Sequence, residues 1–364
     1  MNALVIEKEK IKNNIGIIKK RARNSQIYAV LKGNAYGMGI IEVATVLSEE
    51  GVTAFAVNDI EEAVLLRENG FTSQDILMLK PTCDTEEIGL IIEHGIIATV
   101  GSYDSAVALN GIAEKEKQII NAHVIIDTGM GSFGFMPGET DKIESIYKFM
   151  PNIKVCGIYT HFFAAFVSEK KTKEQYEALM SVCAKLKEDG FDAGVVHAEN
   201  SPALFKYELE GLDAVRIGSA LTGRLVVKGK YGLQSVGYLE GNVIDIKWIP
   251  EKHTVGYGGA HKTKKSTKVA VISLGYDDGF CVDKARDSYR VRDTVRYMLS
   301  ELKRCITNYG LYVDINGKKA RVLGHVGMLH SMVDITNIDC AIGDRVTVSI
   351  NPMYVKNSVK RKYI

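Results

Sequence analysis

The 364-residue sequence lacks the features that mark a disulfide-rich, metal-binding, membrane or nucleic-acid-binding protein. Its six cysteines are scattered, with no C-x-x-C pair and no histidine at metal-ligand spacing, so we expect no metal site and reduced thiols. The net charge of +2 favours neither a nucleic-acid nor a membrane partner. No apolar run reaches the roughly 20 residues of a membrane helix, and the N-terminal residues lack the apolar core of a signal peptide. We therefore expect a cytoplasmic protein.

Short apolar runs alternate with amphipathic stretches in the first part of the chain. Eight of the runs have the length and composition of strands, at 26–32, 53–57, 75–79, 96–100, 122–127, 155–161, 193–200 and 212–218. Strands that alternate with helices predict an α/β fold, specifically a parallel (β/α)8 barrel of the TIM type over residues 1–230. Several runs end in a polar residue, as at Lys32, His161 and Arg216. The carboxyl ends of barrel strands are where catalytic groups lie.

The remaining chain, residues 231–364, is rich in β patterns separated by glycine turns. It predicts a second, mostly β domain, interrupted by one helical insert at about 291–309. The sequence shows no internal repeat and no low-complexity segment.

Lys32 is the first residue whose position points to chemistry. It follows an apolar run and opens a glycine-rich loop in AVLKGNAYGMG (29–39). Lysine is rarely placed at the buried end of a strand without a partner or a function, and a desolvated lysine with a lowered pKa forms a Schiff base with a carbonyl compound. A lysine that extends to the rim of the barrel is the competing interpretation, and spacing alone leaves both open.

The segment AVLKGNAYGMG resembles the cofactor-lysine motif of the alanine racemases, which are fold-type III pyridoxal-phosphate enzymes. Seven further segments resemble the same family in the same order: IDTGMGSFGF, GIYTHFF, HAENSPAL, VRIGSALTG, TVGYGGAH, SLGYDDGF and GHVGMLHSMVDIT with GDRVTV. The resemblance covers nearly the whole chain. It implies an isomerase that interconverts L- and D-amino acids with pyridoxal 5'-phosphate, alanine being the default substrate, as in the supply of D-amino acids to the cell wall.

The resemblance also implies a cofactor-binding set, which is Lys32, Tyr36, His161, Asn200, Ser201, Arg216, Gly218 and Ser219. Lys32 binds the cofactor covalently and then acts as a base. Ser201 holds the phosphate with the backbone N–H groups of Gly218 and Ser219, since small residues beside a helix N-terminus suit an anion. Arg216 faces the pyridine nitrogen and cannot give up its proton, which makes the ring a weaker electron sink than one paired with an acid.

The same family implies a second catalytic group, Tyr257, on the opposite face of the substrate Cα. A free phenol has a pKa of about 10, so a tyrosine base needs a neighbour that lowers this value, and His161 is a candidate. In the family this tyrosine comes from the second domain of the partner subunit, which implies an obligate homodimer with composite active sites. Tyr276 and Met328 are then substrate-binding residues that also reach the partner's site.

The sequence departs from the family pattern on the side of the substrate carboxylate. Where the family usually has an arginine this chain has Ser132, and where it often has a carbamylated lysine this chain has Ile125. The two changes are physically consistent, because a buried carbamate that lost its arginine partner would be an unpaired charge, which is costly. Further departures are Met38 in the lysine loop and Leu329–His330 after Met328. We therefore expect altered specificity to be possible, with Ser132 in the substrate pocket.

Three alternatives stay open at this point. A fold-type III decarboxylase shares the architecture, but this chain lacks the Cys–Glu–x–Gly–Asp-like segment of those enzymes. A pyridoxal-phosphate homeostasis protein resembles the barrel alone and has no counterpart of the Tyr257 segment. A racemase-like protein that keeps the cofactor but turns over weakly or not at all is the third alternative, because Ser132 replaces the expected arginine.

Overall fold

The computed structural model describes residues 2–227, 229–284, 290–306 and 310–364. The chain divides into two compact units, one formed by Lys8–Val236 and the other by Met1–Glu7 together with Gly237–Ile364. The first strand, β1 (Ala3–Ile6), thus belongs to the second unit rather than to the barrel.

The first unit is built around a parallel sheet. Its strands are β2 (Gln26–Val30), β3 (Ala54–Val57), β4 (Asp75–Met78), β5 (Ala98–Val100), β6 (Ile120–Ile125), β7 (Ile153–Tyr159), β8 (Val195–Asn200) and β9 (Ala214–Ile217). Their order is β4-β3-β2-β9-β8-β7-β6-β5. Hydrogen bonds from Met78 N to Ile97 O and from Ile97 N to Ile76 O, both 2.9 Å, join β4 to the start of β5 and close the barrel. Six of the eight predicted strand runs contain one of these strands, and the runs at 122–127 and 155–161 overlap β6 and β7, each of which begins two residues earlier.

Helices follow the strands around the barrel. They are α1 (Lys8–Ala22), α2 (Lys32–Tyr36), α3 (Ile40–Glu49), α4 (Ile60–Glu68), α5 (Thr85–Glu93), α6 (Tyr103–Glu116), α7 (Thr140–Phe149), α8 (Glu169–Glu188) and α9 (Ser201–Lys206). Helix α1 shows why such segments are helical, because it buries Ile11, Ile15 and Ile18 at a spacing that forms one face. Segment α2 is different, since Gly33, Asn34 and Ala35 adopt left-handed backbone angles.

The second unit is mainly antiparallel. Its remaining strands are β10 (Tyr238–Ile249), β11 (Thr254–Val255), β12 (His261–Lys262), β13 (Thr267–Ile272), β14 (Tyr312–Ile315), β15 (Lys318–Leu323), β16 (Ser331–Asp334), β17 (Arg345–Ser349) and β18 (Lys360–Tyr363). One eight-stranded sheet has the order β13-β16-β15-β14-β17-β10-β1-β18, with β13 also paired to β10. Strand β1 pairs antiparallel with β10 and parallel with β18.

The predicted helical insert contains α10 (Val291–Ile306), and residues 307–309 of that prediction lie outside the described residues. One face of α10 is apolar and exposed, with Val291, Val295, Met298, Leu299 and Leu302 at helical spacing. No described helix is both long enough and apolar enough to cross a membrane.

Candidate active site

The carboxyl ends of the barrel strands surround a cavity of about 340 Å³. Ten residues singled out from the sequence line it: Lys32, Tyr36, Ile125, Ser132, His161, Asn200, Ser201, Arg216, Gly218 and Ser219. They come from separate strands and meet because the strands are parallel. Lys32 is exposed at this mouth in the single chain. Among the described lining residues the basic side chains are Lys32, His161 and Arg216, and none is a carboxylate.

Arg216 places a positive charge at the base of the cavity. The residue is 4 % exposed. Its Nη1 approaches His197 Nδ1 at 2.8 Å and donates to His197 O at 3.2 Å, and its Nη2 donates to Thr160 O at 2.5 Å. The guanidinium also lies 4.7 Å from the centre of the Tyr159 ring. Burial lowers the pKa of Arg216 to about 10, so it remains charged at neutral pH.

Two buried histidines extend this contact into the barrel interior. His197 Nε2 lies 2.9 Å from His123 Nδ1. The His197 ring is stacked between Tyr28 and Tyr159, with ring centroids 5.3 and 4.8 Å away. Burial first, and then the Arg216 charge, lowers the pKa of both histidines, that of His123 to about 4. Neither histidine is among the residues predicted from the sequence to form the site.

His161 stands at the rim of the cavity and is exposed. The surrounding protein atoms, Arg216 and Lys32 lower its pKa to about 3, in that order of importance. Its imidazole is therefore neutral near pH 7. It can polarise a phenol only through a hydrogen bond, because it carries no positive charge of its own.

A small concave surface is formed by the ends of β8 and β9. Ser201 Oγ accepts hydrogen bonds from Gly218 N and Ala220 N, both at 3.2 Å. A Cβ atom at Gly218 would lie 2.1 Å from Tyr36 Oη, so only glycine leaves room between the tyrosine and the backbone. Burial raises the pKa of Tyr36 to about 12, which keeps its hydroxyl protonated as a donor. Ser219, the other predicted phosphate ligand, lines the same cavity.

Both the nitrogen and the oxygen of the Asn200 side-chain amide form hydrogen bonds within the barrel unit. Its Nδ2 donates to Phe162 O at 2.9 Å, and its Oδ1 accepts from Ala203 N at 3.2 Å as the N-cap of α9. The contact with Phe162 joins β8 to the segment that follows β7. Asn200 therefore fixes the position of the neighbouring Ser201 at the cavity wall.

The side of the cavity around Ser132 is neutral and largely apolar. Ile125, Met130 and Phe133 line it together with Ser132. Ile125 is buried, with 7 % exposure. The expected departure from an arginine–lysine pair thus leaves no charge at these two positions, and the described cations that line the cavity are Lys32 and Arg216.

The three other predicted site residues belong to the second unit, where they are exposed. Tyr257, Tyr276 and Met328 have exposures of 74, 50 and 51 %. Tyr276 N donates to Gly327 O at 2.9 Å, and Asp277 N donates to Met328 O at 3.0 Å. The second unit thus brings Tyr276 and Met328 side by side. The glycines at 256, 258 and 259, with φ of 80°, 64° and 62°, form the left-handed loop that carries Tyr257.

Family models match the two parts of the chain separately. Residues 6–225 match the N-terminal domain of alanine racemase, and residues 236–360 match its C-terminal domain. The chain belongs to the alanine racemase family. The alanine racemases of Methanococcus maripaludis and Clostridium tetani are 35 % and 32 % identical to it, each over 94 % of this chain and over 87 % and 84 % of their own lengths.

Solved structures of alanine racemases have the same fold. The enzyme of Clostridium difficile 630 matches with a TM-score of 0.85 and 27 % identity, over 100 % of this chain and 95 % of its own. That of Bartonella henselae, which has covalently bound pyridoxal phosphate, matches with a TM-score of 0.81 and 24 % identity over 100 % and 99 %. These comparisons confirm the predicted family and α/β fold class. They also confirm the predicted class of enzyme, a pyridoxal-phosphate-dependent amino-acid racemase, over the decarboxylase and non-catalytic alternatives.

The residues of this cavity fit the cofactor of the alanine racemases. An anionic phosphate suits a wall where glycine leaves space beside a protonated phenol and a serine. Lys32 would supply an amine for covalent attachment and Arg216 a charged donor, and no described carboxylate lines the cavity to repel a phosphate. No group of three or more His, Cys, Asp or Glu side chains among the described residues has the arrangement of a metal site.

Proposed function

We propose that this protein racemises an amino acid, with alanine as the reference substrate, and that Lys32 and Tyr257 are its two acid–base groups. The observation that carries the proposal is the convergence of Lys32, Arg216 and the Ser201–Gly218 wall on one cavity. Pyridoxal phosphate, when bound, withdraws electrons from the substrate Cα and so acidifies its hydrogen. Racemisation also requires a proton to leave one face of Cα and another to arrive on the opposite face, which two opposed groups achieve.

Each cofactor-binding residue has a separate proposed role. Lys32 would hold the cofactor, and its amine would exchange a proton with the substrate Cα. Tyr36 and Ser201 hold the phosphate beside Gly218 and Ser219, while Asn200 keeps Ser201 in place. The hydrogen bonds of Arg216 within the described part of the chain come from Nη1 and Nη2, so Nε is available to the ring nitrogen. His161, at the rim of the cavity, would pack beside the cofactor ring.

Tyr257 serves the cavity of a second copy of the chain. Its high exposure on its own unit supports this assignment, because a large aromatic ring carried on a glycine loop suits insertion into another surface. Tyr276 and Met328 accompany it and line the entrance for the substrate carboxylate. The active protein is then a homodimer in which each site is composite. The cytoplasmic location and the role in cell-wall supply remain predictions.

Substrate specificity depends on the neutral wall at Ser132. An arginine–carboxylate contact typically contributes about 1.5–3 kcal/mol, and the barrel side chains around Ser132 offer no such cation. The substrate carboxylate then relies on the partner subunit's entrance residues, and the apolar neighbours of Ser132 favour a larger or more apolar side chain than that of alanine.

Chiral chromatography of a panel of L-amino acids incubated with the holoenzyme tests the function. We expect D-product from at least one member, and none with Lys32→Ala. Release of amine and carbon dioxide would indicate a decarboxylase, and a cofactor spectrum without turnover would indicate a binding protein. With Ser132→Arg we expect the KM for alanine to fall about tenfold relative to Ser132→Gln. Efficient alanine turnover by the unmodified protein, with no better substrate, would overturn the specificity argument.

Deuterium exchange tests the two-base part of the proposal. In D2O, Tyr257→Phe is expected to racemise about 10²- to 10⁴-fold more slowly in both directions. It still exchanges the Cα hydrogen of the enantiomer that Lys32 can reach, without inversion. Unchanged racemisation by Tyr257→Phe would remove Tyr257 from the mechanism.

A further inference from the structure

The backbone turn that follows Lys32 has an unusual conformation. Gly33, Asn34, Ala35 and Tyr36 have φ of 64°, 54°, 51° and 57°, so four consecutive residues are left-handed. Three of them carry a Cβ atom, and each such residue costs roughly 1–2 kcal/mol in this region. A single such turn persists only when surrounding contacts hold it. Because the turn begins at Lys32 and ends at Tyr36, its conformation sets the direction of both side chains.

Part of the turn is held by its own backbone. Ala35 N donates to Leu31 O at 2.6 Å, and Gly37 N donates to Gly33 O at 2.8 Å. The side chain of Asn34 accepts from Ile40 N at 2.8 Å and so joins the turn to the first residue of α3. These contacts are all within the same stretch of chain. They do not fix the turn relative to the neighbouring strand of the barrel.

Glu62 of α4 supplies a contact from the next strand–helix unit of the barrel. Its Oε1 accepts the backbone N–H of Asn34 at 2.7 Å. The backbone N–H groups of Asn58 and Gly33 also stabilise this carboxylate. Asn58, at the end of β3, lines the same cavity as Lys32. One carboxylate therefore binds the loops that follow two adjacent strands.

The environment of Glu62 is not that of a surface carboxylate. Its Oε2 is buried and has no hydrogen-bond partner among the described residues. Burial raises the pKa of Glu62, while the backbone N–H groups act in the opposite direction. A carboxylate with no partner in the interior would lower its free energy by extending into solvent, as that of the neighbouring Glu61 does. The carboxylate is held inward, against the desolvation cost, by the donors of the Lys32 turn.

We propose that Glu62 is a positioning residue that holds the left-handed turn after Lys32 and thereby aims Lys32 and Tyr36 into the cavity. The effect of Glu62 on the reaction rests on the proposed function. The hydrogen bond between Glu62 and Asn34 does not depend on which reaction the protein catalyses. Glu62 touches neither substrate nor cofactor, so it acts through the turn.

Hydrogen exchange in the cofactor-free protein is the direct test. The amide of Asn34 is expected to be protected in the unmodified chain and to exchange at least about tenfold faster in Glu62→Ala. Glu62→Gln keeps an oxygen that can accept this N–H and should restore part of the protection. Glu61→Gln, an exposed change on the same turn of α4, is the matched control and should leave the amide unaffected. Equal Asn34 exchange in all four proteins would overturn the proposal.

Cofactor and activity measurements then separate positioning from general stability. In Glu62→Ala we expect weaker retention of the lysine-bound cofactor, seen in its visible absorption band, and a kcat about 10- to 100-fold lower with little change in KM. Glu62→Gln should be intermediate, with an unfolding temperature close to that of the unmodified chain. If Glu62→Gln and Glu61→Gln had the same absorption band and kcat, the positioning role would be refuted. If no amino acid is racemised, the proposed function fails while the exchange and absorption results still decide the role of Glu62.

Discussion

Arg216 determines which ring nitrogens of His197 and His123 carry a proton. A guanidinium only donates, so His197 Nδ1 must accept, and its Nε2 carries the proton that it donates to His123 Nδ1. Both imidazoles are therefore neutral in the folded protein. The arrangement keeps the single positive charge at the cavity end of the chain, where the resemblance to alanine racemases assigns the cofactor ring.

The buried histidines predict that stability falls as the pH is lowered below neutrality. In the unfolded chain His123 binds a proton near pH 6.5, whereas in the folded chain its pKa is lowered to about 4. Unfolding therefore takes up a proton between these values, and His123 alone removes about 3 kcal/mol of stability as the pH falls through this window. Urea unfolding at a series of pH values measures this loss.

His123→Asn is the informative variant for this prediction. An asparagine oxygen can accept the His197 proton as His123 Nδ1 does, but it does not titrate. We expect a flatter dependence of stability on pH in His123→Asn than in the unmodified chain. His253→Asn, at an exposed position of the second unit, should keep the original dependence. The same slope in all three proteins would mean that His123 is not the responsible group.

At the scale of an element, the loop 127–135 presents Ser132 through its own hydrogen bonds. Asp127 Oδ1 accepts from Gly129 N at 2.8 Å and from Gly131 N at 3.1 Å. Asp127 N donates to Phe135 O at 2.8 Å, which closes the loop at its base. Gly134 has φ of 122°, and a Cβ atom there would lie 2.6 Å from Asp127 N. The position of Ser132 thus depends on a glycine two residues away.

Gly134→Ala is expected to open the loop 127–135 and weaken substrate binding. An alanine at this φ is strained, and its Cβ contacts rigid backbone, so a loss of about 2 kcal/mol or more in unfolding free energy is expected. The KM of the best substrate should rise about tenfold, while the cofactor spectrum stays unchanged. Gly138→Ala, where a Cβ meets nothing within 4 Å, should alter neither. A normal KM for Gly134→Ala would separate the loop from substrate binding.

The sequence predicted the elements of the barrel better than their contacts. Short apolar runs located all eight strands, and strand-end residues such as Lys32 and Arg216 meet at one mouth because parallel strands end together. The run at Ala3–Ile6 could not reveal that β1 joins the sheet of the second unit, since an apolar strand fits either sheet. Glu62 reaches the Lys32 turn through a contact between separate elements, which helical periodicity does not encode.

At the scale of the whole molecule, the predicted site residues are divided between the two units. Lys32, Arg216 and Ser201 line the barrel cavity, whereas Tyr257 and Tyr276 lie exposed on the second unit. The family match covers both units, and the proposed homodimer gives each cavity the second unit of the other copy. In such a dimer each of the two sites combines the barrel of one copy with the second unit of the other. The barrel part and the second-unit part of a site can therefore be inactivated separately.

Complementation between two inactive variants tests the composite site. Lys32→Ala and Tyr257→Phe are each expected to be nearly inactive as pure proteins. If the site is composite, a mixed dimer has one cavity with both changes and one with neither. Random pairing of equal amounts gives about half mixed dimers, each with one intact cavity, so activity should return to about a quarter of that of the unmodified enzyme.

The subunit arrangement decides the outcome of this mixing. If Tyr257 acted within its own chain, both cavities of a mixed dimer would carry one defect, and no activity would return. Mixing after subunits have been dissociated and reassociated, compared with mixing of intact proteins, controls for slow exchange. Two differently tagged chains, purified in tandem, isolate the mixed dimer and should raise the recovery to about half. Tandem-purified mixed dimers without activity would therefore exclude a Tyr257 contributed by the partner.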